Sequence, residues 1–242
     1  MAWLHLLDVA IFRFIDETLS NPLFDRCMPF LSGNSLFVPF LIVVAAVLVW
    51  RAGVRGRVCL IMLVLVICLG DPLIVNTIKH TVGRLRPFND IPDAITRVGR
   101  GGSFSMPSAH SANWFSAAMV FFIYYRRSAR FMLPLSGLVG FSRIYNGVHY
   151  PSDVLVGAIL GVGYAAALVW SLDALWRRAG QRWFPLWWQR LPSLINPEAK
   201  IEARGESSED SALRIAHSAF DRHWLRFGYL LIALLLFVRL AY

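Results

Sequence analysis

Long apolar runs separated by short polar connections dominate this chain. Residues of about 35–50, 58–78, 110–125, 131–147, 153–172 and 224–241 are almost continuously apolar. Crossing the hydrocarbon as a helix takes roughly 20 mostly apolar residues, and somewhat fewer where flanking side chains snorkel. The pattern therefore predicts an all-α, polytopic transmembrane helical bundle of about six spans. The stretch from Trp3 to Leu19 is different, because Asp8, Arg13, Asp16 and Glu17 stand among apolar residues at helical spacing. That mixture predicts an N-terminal amphipathic helix lying in the membrane interface, with a seventh crossing as the alternative. The same scattered charges argue against a cleaved signal peptide. Residues 1–242 read as one integral-membrane domain, with a core over about 58–172, a cytoplasmic loop over about 177–222 and a C-terminal span over about 224–241.

Composition sharpens this picture in one respect. With 57% hydrophobic and 16% charged residues and a mean hydropathy of +0.53, the chain is too apolar for an ordinary soluble domain. Its formal charge of +9 is almost all arginine, since Lys79 and Lys200 are the only lysines. Such a balance fits either nucleic acid or an anionic membrane surface, and the apolar runs decide for the membrane. Cys27, Cys59 and Cys68 lack paired or metal-type spacing and receive no chemical role.

Arginines in the short connections set the orientation. Arg51, Arg55 and Arg57 join the first two spans, Arg126, Arg127 and Arg130 join the third and fourth, and Arg177, Arg178 and Arg182 follow the fifth. Counting crossings puts all three clusters on one side, which the positive-inside rule makes cytoplasmic. Trp183, Trp187 and Trp188 beside them read as an interfacial belt, and Glu198 to Ser211 as a solvated linker. Arg84, Arg86, Arg97, Arg100 and Arg143 then fall on the outer side, where the topology rule disfavours them. Binding an anion would explain them; for Arg97 and Arg100, pairing with loop carboxylates such as Asp90 and Asp93 is the competing explanation.

Three segments on that outer side carry chemistry: Lys79 to Pro87, Pro107 to His110, and Ser142 to Asp153. A phosphate ester resists nucleophiles because its oxygens repel them, so a catalyst must first spread that charge over fixed donors. Lys79 offers a point charge, and Arg86 and Arg143 offer planar forks. Ser108 precedes an apolar run as an N-cap, placing free N–H groups at a helix start where anions bind. His149 and Asp153 straddle Pro151, so the carboxylate can accept the imidazole Nδ1–H and leave Nε2 free for attack. His110 can serve as the acid. His5, His80, His217 and His223 have no such setting. Asp71, beside Gly70 and Pro72, lies roughly 12 Å along a helix from Lys79 at 1.5 Å per residue and reads as support for a broken turn.

These segments resemble the signature of the type 2 phosphatidic acid phosphatase superfamily: K-x6-R-P as Lys79 to Arg86–Pro87, P-S-G-H as Pro107 to His110, and S-R-x5-H-x3-D as Ser142–Arg143, His149 and Asp153. The resemblance covers about residues 58–170. It implies a metal-independent site with no cofactor, where His149 attacks phosphorus, Asp153 orients it and His110 acts as acid and then base. Lys79, Arg86, Ser108, Ala109 and Arg143 would bind the phosphoryl oxygens. Ala109 stands where the family usually has glycine, which would strain the chain by about 1 kcal/mol if the position needed positive φ.

The resemblance further implies a lipid phosphate substrate, hydrolysed at the periplasmic face of a bacterial inner membrane, with undecaprenyl pyrophosphate first. Phosphatidylglycerophosphate, phosphatidic acid and lipid A present the same phosphoryl end. A lipid-to-lipid phosphotransferase or a silent membrane scaffold would keep the same fold. No nucleic-acid partner is expected, and protein partners are undefined.

Overall fold

The computed structural model describes residues 2–197, within the first of the chain's two units, Met1–Ala199. The expected linker after Glu198, the last span at 224–241, His217 and His223 lie outside the described residues. Every described element is helical. Helix α1 spans Ala2–Arg13 and runs into a π-helical turn, Phe14–Thr18; α2 spans Pro22–Leu31, α3 Asn34–Trp50 and α4 Gly53–Gly70. A second π-helical turn, Asp71–Val75, joins α4 to α5 (Asn76–Val82), and α6 is the short Pro87–Asp90. Then come α7 (Ala109–Tyr124), α8 (Ala129–Tyr145), α9 (Pro151–Trp183) and α10 (Pro185–Arg190).

The predicted apolar runs within the described residues are all helical. Two helical stretches, Gly53–Asp90 and Pro151–Trp183, are long and apolar enough to cross a membrane. At 16 and 17 residues, α7 and α8 are about 25 Å long at 1.5 Å per residue, shorter than the roughly 30 Å hydrocarbon. The fifth run goes further than its apolar pattern indicated: α9 has 33 residues and carries Arg177, Arg178 and Arg182 in its last turns.

Helix α7 is the axis of the bundle, packed on α9, α8 and α4. Val66, Ala112, Val120, Tyr124, Val139, Ala165 and Val169 are wholly buried between these helices. The α7–α9 contact is close because Gly157 and Gly161 place bare backbone against it: a Cβ at Gly157 would lie 2.5 Å from the Ser108 carbonyl oxygen, and one at Gly161 2.3 Å from that of Ala112. Small residues four apart are a common means of bringing membrane helices together. Gly157→Ala is therefore expected to destabilise the protein by about 1–3 kcal/mol through overpacking. Gly163→Ala, which meets nothing within 4 Å, should leave the melting temperature in detergent unchanged.

Because α4, α7, α8 and α9 alternate in direction, the three motif segments gather at one end and the arginine clusters at the other. At the arginine end, Arg55 lies over the Tyr125 ring at 5.3 Å. There the buried Asp173 carboxylate accepts from Ser193 Oγ and from the Leu194 and Ile195 N–H groups, tying residues 193–195 back onto α9.

Helix α1 is present, and of the charges in it and the π-helical turn that follows, Arg13 and Glu17 pair at the surface while two carboxylates do not face water. Asp8 and Asp16 are buried and form ion pairs with Arg84 and Arg97 at 2.6 and 2.5 Å, while Trp3, Leu4, Leu6 and Leu7 are exposed. Asp8 is thus turned to the protein while these four apolar residues face outward.

Candidate active site

Helix ends build the site. Ser108 is the N-cap of α7, accepting the Ser111 N–H at 3.5 Å, and its own N–H donates to the Asp153 carbonyl oxygen at 2.9 Å. The starts of α7 and α9 are thus held side by side. The first N–H groups of α7, Ala109 and His110 among them, have no intrahelical acceptor and are available to an anion. No described residue other than glycine has positive φ, so Ala109 sits in its helical position without the strain that replacing a glycine could have brought.

Pro151 opens α9, and Asp153, fully buried, is in its first turn. Its Oδ2 accepts the Tyr150 N–H at 2.8 Å and the Ser105 hydroxyl at 2.5 Å. His149 Nδ1 lies 3.6 Å from the same oxygen, an ion-pair separation longer than a hydrogen bond, and 3.4 Å from Ser105 Oγ. His149 is 2% exposed. Burial outweighs the attraction of Asp153 and, with Arg143 and Arg86 nearby, brings its pKa down to about 4. At neutral pH the imidazole is therefore uncharged and carries a free lone pair.

The outer-side cations divide into two groups. Arg97 bonds Asp16 and Asp25 at 2.5 and 2.6 Å and donates to the Tyr145 carbonyl oxygen; Arg84 bonds Asp8 and Asp153 at 2.6 and 2.8 Å. Arg100 lies over the Phe88 ring at 5.6 Å. Carboxylates do hold Arg97, as the competing explanation required, but they come from the N-terminal segment and not from Asp90 or Asp93. Lys79, Arg86 and Arg143, by contrast, form no carboxylate ion pair among the described residues. Lys79 Nζ donates to the Phe104 carbonyl oxygen at 2.7 Å. Arg86 is held flat by Ser103 O, Ser103 Oγ and Val148 O at 2.7, 2.8 and 3.3 Å. Arg143 Nε is buried with no hydrogen-bond partner. His110 is within electrostatic reach of Arg143, His149, Arg86 and Lys79, and Lys79 of Arg86, Asp153, Asp71 and Arg143.

The candidate residues are thus brought together: three cations with no ion-pair partner among the described residues, two imidazoles, a capped helix start and a buried carboxylate. Asp71 makes no ion pair with Lys79. His80 is exposed against Phe104, and His5 lies at the surface near Asp90. Ser105, Arg84 and Asp8 were not picked out by the spacing of the motifs. Their signal was weaker: a hydroxyl two residues before Pro107, an arginine inside the first motif and a carboxylate in an apolar helix.

Comparison with known proteins agrees with this arrangement. Residues 57–177 match the PAP2 superfamily. The chain belongs to that superfamily. This PAP2 protein is 30% identical over 163 residues to lipid A 4'-phosphatase of Bacteroides thetaiotaomicron, covering 64% of this chain and 72% of that one. It is 30% identical over 159 residues to undecaprenyl-diphosphatase of Sulfolobus acidocaldarius, covering 64% and 73%. The crystal structure of a PAP2-type phosphatidylglycerolphosphate phosphatase from Bacillus subtilis has the same fold, with a TM-score of 0.56 at 24% identity, covering 72% of this chain and 88% of that one. This PAP2 protein is a phosphoric ester hydrolase of the lipid phosphatase kind.

Proposed function

We propose that the chain hydrolyses the terminal phosphoryl group of a lipid pyrophosphate, with undecaprenyl pyrophosphate as substrate, at the periplasmic face of a bacterial inner membrane. One observation carries this reading: Lys79, Arg86 and Arg143 gather with His149 around His110 and form no carboxylate ion pair among the described residues. The cluster suits an anionic phosphoryl end, and the similarity to an undecaprenyl-diphosphatase supports a pyrophosphate as that end.

In this mechanism His149 Nε2 attacks the terminal phosphorus while Lys79, Arg86, Arg143, Ser108 and the first N–H groups of α7, from Ala109 onward, hold its oxygens. His110 protonates the departing lipid phosphate oxygen as the P–O bond breaks, leaving a phosphohistidine. Water, deprotonated by the same His110, then attacks phosphorus and releases inorganic phosphate, restoring His149. Asp153 supports the positive charge that the ring carries while bonded to phosphorus.

The site end faces the periplasm in this reading, because the basic ends of the helices face the cytoplasm. Helix α1 lies in the outer interface with its apolar side toward lipid. The five described apolar runs make five spans in this reading, and the span expected at 224–241 lies outside the described residues.

Phosphate release by the purified protein from undecaprenyl pyrophosphate, lipid A, phosphatidylglycerophosphate and phosphatidic acid, with and without an acceptor lipid, tests the proposal. The pyrophosphate should have the highest kcat/KM, independent of acceptor. Preference for a monoester would overturn the substrate assignment, and turnover that depends on acceptor would make the protein a phosphotransferase.

A further inference from the structure

A buried ionic chain starts outside the three motif segments, at Asp8, and runs through Arg84 to Asp153 at the centre of the site. Asp8, on α1, is 6% exposed. Its Oδ2 accepts from Arg84 at 2.6 Å and from the Ser152 hydroxyl at 2.5 Å, and its Oδ1 accepts the Ser152 N–H at 2.9 Å. Arg84 uses its other terminal nitrogen on Asp153 Oδ1 at 2.8 Å and on Ser152 Oγ at 2.7 Å. The guanidinium lies over the Tyr150 ring, 4.0 Å from its centroid, which fixes its plane. Asp153 in turn faces His149 with its other oxygen.

We propose that Asp8, acting through Arg84, is a positioning residue for the Asp153–His149 pair. Its effect follows from charge counting. Arg84 alone against Asp153 would cancel the carboxylate that His149 needs when its ring becomes cationic on bonding phosphorus. Asp8 neutralises Arg84, so the trio Asp8, Arg84 and Asp153 keeps a net charge of −1 while Arg84 still locks the orientation of the carboxylate. The N-terminal helix, which lies outside the matched segment 57–177, thereby becomes part of the catalytic apparatus. The inference rests on the assignment of His149 as nucleophile.

The test compares the full-length wild type with Asp8→Asn, Arg84→Gln, Arg84→Lys, Asp153→Asn, Asp8→Asn/Asp153→Asn and His149→Ala. The substrate is dioctanoyl phosphatidic acid in detergent, assayed well below each melting temperature, with inhibition by inorganic phosphate measured alongside. Asp8→Asn should lower kcat by about tenfold or more, with KM and the phosphate inhibition constant within about twofold of wild type. In the Asp153→Asn background it should add no further loss, because both changes act on one relay. Arg84→Lys should retain more kcat than Arg84→Gln. Arg13→Gln, which removes an exposed ion pair on the same helix, should behave as wild type.

Wild-type kcat in folded Asp8→Asn, or a loss that multiplies with that of Asp153→Asn, overturns the inference. If Asp8→Asn does not fold, the Arg84 pair decides by the same criteria, with equal kcat for Lys and Gln as the overturning result. A silent His149→Ala beside a fully active Asp8→Asn would defeat this inference alone, whereas an active His149→Ala would defeat the assignment beneath it.

Discussion

His149→Ala should abolish phosphate release, lowering turnover by about four orders of magnitude or more while the protein stays folded. Removing a nucleophile deletes the covalent route altogether, and the residual rate comes only from substrate binding and charge stabilisation. The side chain is buried and uncharged at neutral pH, so alanine leaves a cavity beside Ser105 while Asp153 keeps its ion pair with Arg84. Melting in detergent should therefore shift little in comparison with the loss of turnover. Steady-state assays on monodisperse protein check both halves of the expectation. Substantial turnover by His149→Ala would mean that another group attacks phosphorus.

The second large effect is expected at Arg143. Its Nε is buried without a hydrogen-bond partner, and no carboxylate balances it, so its planar fork is free for phosphoryl oxygens. Arg143→Gln should lower kcat/KM by about 10²–10³, the usual consequence of losing one preorganised donor to developing charge. Arg143→Lys should recover only part of this, because a point charge cannot engage two oxygens in one plane. Protection against thermal unfolding by inorganic phosphate should weaken in both variants. Since Arg143→Gln removes an uncompensated buried cation, its melting temperature without phosphate should not fall. Arg97 provides the contrast: it is bonded to Asp16 and Asp25, so Arg97→Gln should lower stability more than turnover.

Much of this was legible in the sequence. Apolar runs located the helices because a membrane-type bundle needs long uninterrupted stretches. Spacing located Lys79, Arg86, Ser108, His110, Arg143, His149 and Asp153 because each stands at or near a helix end, where local pattern and topology coincide. Pro151 and Ser108 even marked which helix starts would be involved. Helix α9 outran its apolar pattern because Arg177 and Arg178 are good helix formers whose charges suit a helix C-terminus.

Other features depended on distant pairings that no local pattern encodes. Asp8 and Asp16 looked like the polar side of a surface helix, yet each lies against an arginine more than 70 residues away. Periodicity reports that one side of a helix is polar, and it does not say whether water or a buried guanidinium satisfies that side. The outer arginines were ambiguous for the same reason: Arg84 and Arg97 differ from Arg86 and Arg143 only in which carboxylates reach them. Ser105 carries little local signal, since a serine three residues after Gly102 is ordinary until Asp153 is seen beside it.

Trapping the covalent intermediate tests the central claim most directly. The protein would be mixed with a lipid pyrophosphate carrying a radiolabelled terminal phosphate, quenched in alkali within the first turnover, and mapped by peptide mass spectrometry. The mechanism predicts an acid-labile, base-stable phosphoryl group on His149, absent from His149→Ala. Label on a different residue, or full turnover with no labelled protein at any time point, would contradict it.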